Sequence, residues 1–238
     1  MRFVGIKSIE PQDMQALHRI REPLVKDRTA LVNHIRGLLA EYGVVMPQGI
    51  KQVGQALPGM LEDAEHSLTA FARELFTELL ARLRTLNEQI TDYQQRIERL
   101  CAHHPVCQKL TQVEGVGPLG ATALIAAVAG AHSFKSGRQM AAWLGLVPRQ
   151  CSTGAKTRPL GMRKRGNRYV RTLLIHGARA VLRHASRKTD ARSRWLIALM
   201  RRRGRNVAVV ALAHKHARIL WALMTREEAH RKAVCVPD

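Results

Sequence analysis

Carboxylates nearly vanish from the second half of this 238-residue sequence. Residues 1–104 hold 13 Asp and Glu against 13 Lys and Arg, and residues 105–238 hold five acids against 26 bases. The whole formal net charge of +21 therefore sits in the second half. Its five acids, Glu114, Asp190, Glu227, Glu228 and Asp238, are too scattered to build the carboxylate cluster that metal-dependent DNA cleavage needs. Acids of the first half interleave with bases on helical patterns and read as solvated surface. Cysteine is scarce as well. Cys101, Cys107, Cys151 and Cys235 include no CxxC pair, and five residues around His103 and His104 give poor zinc spacing. They read as reduced thiols. No apolar run reaches membrane-spanning length and no signal-peptide pattern opens the chain. The expectation is a cytoplasmic protein with no membrane partner.

What is present is positive charge in one block. Between Arg149 and Arg205 stand 18 Lys and Arg and one acid, Asp190. Such segregation points to a polyanion, with repeated phosphate contacts and steep salt dependence.

The pattern predicts a mainly α chain in three parts. Met1–Ile9 alternates like a short β-strand, and one strand cannot stand alone, so residues 1–10 read as the remnant of a sheet whose other strands are missing. Residues 11–104 read as a long-helix spacer. One helical pattern runs from Pro11 to about Tyr42, with Pro23 placed to kink or divide it and Gly43 as its C-terminal cap. Val44–Pro58 reads as a Gly- and Pro-rich loop with a short turn around Ile50–Val53. A second pattern runs from Leu61 to His103, with heptad spacing that suits a coiled coil or a hairpin with the first helix. Residues 105–238 read as a compact basic domain with helices near 107–113, 118–130, 136–144, 166–186, 189–203 and 206–224. In the third of these, Gly137, Ala141 and Ala142 allow close helix contact. Val147–Gly161 reads as a loop.

Two segments of the basic domain carry chemistry. In Val113-Glu114-Gly115-Val116-Gly117-Pro118, glycines at i and i+2 allow a tight turn, and Pro118 suits a first helical position. The helix that follows aims its positive end past the turn, where a phosphate would sit. The pattern fits the hairpin of a helix-hairpin-helix DNA-binding unit, and equally a ligand-free helix connection. In the second segment, Cys151-Ser152-Thr153-Gly154 precedes Lys156, Arg158, Arg163, Lys164, Arg165 and Arg168. A serine there could attack a phosphate whose charge the neighbouring cations offset. A plain turn carries the same residues.

Three stretches, VEGVGPLGATALIA, FKSGRQMAAWLGLVPRQCSTGAKTRPLG and KRGNRYVRTLLIHGAR, closely resemble the C-terminal transposase domain of the insertion-sequence-110 family, most of all its 1111 subgroup. The opening MRFVGIKSIEPQDMQALHRIREPLVKDRTALVNHIRGLLAEYG resembles the segment joining that family's catalytic N-terminal domain to its helical spacer. The resemblance implies a DNA transposase: a recombinase that binds, cleaves and exchanges strands through a serine nucleophile. The nucleophile falls at Ser152 or, one residue on, at Thr153. It also implies a structured guide RNA beside the DNA, nucleoid association and a homo-oligomer through the spacer. The family's RuvC-like domain, which holds four acids (DEDD) around Mg²⁺, has no counterpart here. The expectation is a truncated copy with impaired catalysis and no cofactor of its own, Mg²⁺ belonging only to the missing domain. The alternatives are a non-catalytic nucleic-acid-binding protein and an accessory subunit of a full-length transposase.

Overall fold

A computed structural model describes residues 7–63, 68–128, 130–153 and 156–226, with the backbone alone for 150–153 and 156–160. It is mainly helical, with one two-stranded antiparallel sheet among the described residues. Two compact units divide the chain: residues 16–96 form one, and residues 1–15 with 97–238 form the other.

The first unit is built on two long helices. Helix α1 (Ile9–Glu41) runs through Pro23 without a break. The sequence places Met1–Ile9 in a strand; here Ile9 opens α1, Lys7 and Ser8 are not in a strand, and Met1–Ile6 lie outside the described residues. Gly43 adopts φ 77° and closes α1, with Val44 N–H donating to the Leu39 carbonyl at 3.0 Å and Gly43 N–H to Ala40 at 3.0 Å.

Of the Gly/Pro-rich stretch only residues 44–49 are a loop; the rest is helical. Helix α2 spans Ile50–Glu62 with Pro58 inside it. Val53 and Leu57, one turn apart, are fully buried, and that burial overrides the local breakers. Helix α3 (Ala70–His103) starts later than the Leu61 expected, at Thr69, whose hydroxyl accepts from Ala72 N–H at 3.1 Å. Leu31, Val32, Ile35 and Leu39 of α1 share a core with Val53 and Leu57 of α2 and Phe76, Leu80, Leu83 and Leu86 of α3.

In the other unit, α3 ends at His103. His104 then caps α4 (Pro105–Thr111) by accepting Cys107 N–H on its Nδ1 at 3.3 Å. Helices α5 (Pro118–Ala127), α6 (Gly137–Trp143), α7 (Arg168–His184), α8 (Ala191–Arg203) and α9 (Arg205–Thr225) follow, close to the predicted positions. Ser136, Asn167 and Asp190 cap α6, α7 and α8 through their side chains. Gly137 packs against α9, where a Cβ would lie 2.9 Å from Arg218 Cα. Ala141 is buried beside it and Ala142 is exposed.

Helix α9 is the centre of this core: Ala208, Val209, Leu212, Ala213, Ala217, Leu220 and Leu223 are buried along it. By length and composition alone it is also long and apolar enough to cross a membrane, a test that the core helix of a globular unit passes as well. It is the one such helix among the described residues. Cys101 and Cys107 are free and buried in the same core.

His18 on α1 is 5% exposed, and burial, then the nearby Arg21 cation, lowers its pKa to about 4. It is neutral in the folded chain at pH values where the unfolded chain still binds a proton. Stability is therefore lost as pH falls from about 6.5 to 4, by an amount on the order of 1–3 kcal/mol. Thermal melts across that range should show this loss, and His18→Gln should flatten it.

Candidate nucleic-acid interface

The Ser-Thr-Gly stretch expected as a loop is a β-hairpin. Strand β1 (Pro148–Thr153) pairs antiparallel with β2 (Lys156–Met162). The register sets Ser152 opposite Thr157, Thr153 opposite Lys156 and Cys151 opposite Arg158, with an irregularity between Pro148 and Arg149. Gly154 and Ala155 lie outside the described residues. Sequence reasoning missed the hairpin because Pro148, Pro159 and Gly161 are punctuation in strands as much as in loops. A two-stranded ribbon tolerates proline at its unpaired edges.

The feet of the hairpin are tied together. Arg163 N–H donates to the Val147 carbonyl at 2.8 Å, directly across from the strand ends. Arg171, on the first turn of α7 and only 6% exposed, sends Nη1 to the Leu144 carbonyl at 3.0 Å and to the Arg165 carbonyl at 3.2 Å. One guanidinium thus holds the chain entering β1 and the chain leaving β2. Gly145 (φ 73°) and Gly166 (φ 100°) make room for this junction. A Cβ on the first would lie 2.0 Å from Arg165 O, and on the second 1.9 Å from Trp143 O.

Beside the junction opens a cleft of about 1070 Å³ lined by Arg149, Arg163, Lys164 and Arg165 with Val147, Pro148 and Met162. Among the described residues of the lining, its four cations meet no carboxylate. Arg149, Arg163, Lys164, Arg165 and Arg168 are all exposed. Arg168 is the first residue of α7, whose first turn carries no acid. A cation there opposes the helix dipole, so the site concentrates positive charge at a local cost. Lys156 and Arg158 enter through β2, by backbone register only.

The glycine turn lies elsewhere on the same helix. Gly115 (φ 87°) rests on α7: a Cβ on it would meet Val181 Cγ2 at 2.7 Å and Gly177 O at 2.8 Å, and a Cβ on Gly177 would meet Gly115 O at 1.8 Å. Gly117 caps α5 with an ordinary φ of −91° and open space where its Cβ would stand. Glu114 accepts from Lys188 and Arg192. Burial pushes its carboxyl up, but those two cations outweigh it and hold the group below the usual glutamate range. Asp190 is likewise engaged, accepting Ser193 N–H at 2.9 Å and its hydroxyl at 2.8 Å. Among the described residues no three His, Cys, Asp or Glu side chains gather where they could hold a metal.

Of the predicted residues, Arg163, Lys164 and Arg165 share the cleft and Arg168 follows them. Gly115 meets α7 at Gly177, nine residues on from Arg168 and about 14 Å away at helical rise, with Gly117 two residues further along the chain. Arg149 and Arg171 were missed. Arg171 had left a signal: a charged residue inside the apolar stripe Val170–Leu174–Ala178 of α7.

These features belong to a known class. The sequence profile described as "Transposase IS116/IS110/IS902 family" matches residues 107–194, which run from α4 through the hairpin into α8. The chain is 48% identical over 97% of its length to the Coxiella burnetii "Transposase for insertion sequence element IS1111A", covering 64% of that protein. It is 48% identical over 97% of its length to a Pseudomonas aeruginosa "Probable family 20 transposase", covering 69% of it. It is 33% identical over 95% of its length to the Yersinia enterocolitica "Transposase for insertion sequence element IS1328", covering 67%. The chain belongs to the IS116/IS110/IS902 transposase family. It spans about two thirds of the length of these relatives.

The backbone contact between Gly115 and Gly177 makes a sharp prediction. Gly177→Ala should cost about 1–3 kcal/mol or more, because neither neighbour is a flexible side-chain end. Gly117→Ala should cost less than about 1 kcal/mol. Denaturant midpoints of the two variants measure the difference.

Proposed function

We propose that this chain acts on DNA in transposition, gripping the phosphate backbone with the cleft at the feet of the hairpin and presenting Ser152 as the nucleophile. The observation that carries this reading is the acid-free lining of that cleft, with Arg149, Arg163, Lys164 and Arg165 all at the base of the ribbon that bears Ser152. In the proposed step the Ser152 hydroxyl oxygen attacks a backbone phosphorus and loses its proton to solvent. A serine–phosphate ester forms as the bond to the departing sugar oxygen breaks, and that oxygen leaves as a hydroxyl after taking up a proton. The cleft cations balance charge developing on the phosphoryl oxygens. If the register is one residue on, Thr153 supplies the hydroxyl.

Gly117 leaves the N-terminus of α5 open to a second phosphate in the manner of a helix-hairpin-helix turn, with Gly115 holding that turn on α7. A structured RNA offers the same phosphates as the DNA, and the reading includes one as a guide. Activity in the cytoplasm, at the nucleoid, follows from the substrate. Self-association fits the spacer helices: Phe71 and Leu75, one turn apart on α3, are 69% and 43% exposed.

Incubating the chain with labelled DNA of its own element ends and running a denaturing gel tests the nucleophile. The expected outcome is a covalent protein–DNA adduct, lost in Ser152→Ala and kept in Thr153→Ala; the reverse pattern assigns Thr153. If the parent binds DNA but never forms an adduct, the chain is a non-catalytic binder or an accessory subunit.

The cleft makes a separate prediction for binding. Arg163→Gln/Arg165→Gln should lower duplex affinity and reduce the slope of log affinity against log salt by about 2. Fluorescence anisotropy over a salt series reads both.

A further inference from the structure

The spacer unit carries as many acids as bases, yet it concentrates cations in one place. A groove of about 480 Å³ lies among α1, α2 and α3, lined by Arg28, Lys51, Arg84, Asn87 and Gly54 over a floor of Leu80 and Leu83. No carboxylate is among the described residues that line it. Each of the three helices contributes one cation. Arg28 donates from Nη1 to Asn87 Oδ1 at 3.2 Å, and its Nε is buried with no hydrogen-bond partner. Burial, then the nearby Arg21 cation, pulls the Arg28 guanidinium below its usual range. The groove also lies at the start of α2. Its cap residue, Gly49, offers no side chain to the first N–H groups, and the first turn holds no acid. Lys51 and Arg84 are exposed, so both can reach an incoming ligand.

We propose that this groove is a second phosphate-binding site, built to hold the sugar–phosphate backbone of a nucleic acid on the helical spacer. Arg28 stays fixed by Asn87 and presents a rigid cation, Lys51 and Arg84 close from either side, and the α2 N-terminus supplies backbone donors. The floor of Leu80 and Leu83 keeps water from one wall, which strengthens the attraction. This inference rests on the chain being a nucleic-acid binder, but not on the hairpin or on Ser152.

The test uses the full chain and two labelled probes, a duplex DNA and an RNA hairpin, in anisotropy titrations across a salt series. Lys51→Gln/Arg84→Gln should weaken binding to at least one probe by about 3- to 30-fold and lower the salt slope by about 2 for the duplex, or somewhat less for unpaired RNA. Both positions are exposed, so the melting temperature should stay with the parent. A control variant, Lys26→Gln/Arg96→Gln, removes the same charge from exposed residues that pair with Glu22 and Asp92. It should bind within about twofold of the parent. An effect on the RNA alone or the DNA alone supports the site and identifies its occupant. Unchanged affinity and slope for both probes overturn the proposal, as does a control that weakens binding equally. If the groove variant weakens binding while Arg163→Gln/Arg165→Gln does not, the hairpin reading fails and the groove stands. With the opposite pattern the groove fails and the hairpin stands.

Discussion

A buried guanidinium must be solvated by something, and in this chain the solvent of Arg171 is the chain on either side of the hairpin. The carbonyls of Leu144 and Arg165 take its Nη1 hydrogens. Leu144 closes α6, where carbonyl groups are left over by helix geometry. The charge needs the two carbonyls as much as the carbonyls need donors, and losing either side strands the other at a cost of a few kcal/mol. Through that exchange α7 fixes where β1 begins and where β2 ends. Cations on either side of the ribbon then fall beside one cleft rather than scattering over the surface.

The same helix organises the glycine turn by a different means. Gly115 and Gly177 meet through their backbones, an approach any side chain would block. The isolated acid beside that turn is spent on Lys188 and Arg192. Asp190 is spent on the cap of α8. The few described carboxylates of the basic half therefore serve structure, and the cations around the hairpin are left to face outward. Charge segregation visible in the composition becomes, in space, a division of labour.

Most of the helices were legible from apolar spacing, whereas the caps Ser136, Asn167 and Asp190 that start three of them emerge only from the structure. Pattern reading failed where burial overruled local preference. Val53 and Leu57 drive α2 through Gly54 and across Pro58, and no local signal announces that they are buried together. The hairpin was hidden for another reason: its strands hold each other through local pairing that proline and glycine disguise, and the Arg171 contacts at its feet reach back 27 and six residues along the chain. The family was readable from the residues of 110–179. The basic residues Arg163, Lys164 and Arg165 were picked out by charge density alone, whereas the partnership of Arg149 with them depends on cross-strand register. The role of Arg171 depends on burial, which composition does not report.

The hairpin has a mechanical consequence. Ser152 stands four residues out from Pro148 along β1, about 13 Å at the rise of an extended strand. Because both feet share one anchor, a tilt at that anchor swings the ribbon like a crane's jib. A rotation of about 10° there carries the position of Ser152 through roughly 2 Å, using that same reach. For the nucleophile proposed at Ser152, differences that small separate an attacking oxygen from an idle one. Aim at the far end is therefore set at the base, by a residue whose side chain is almost wholly withdrawn from solvent.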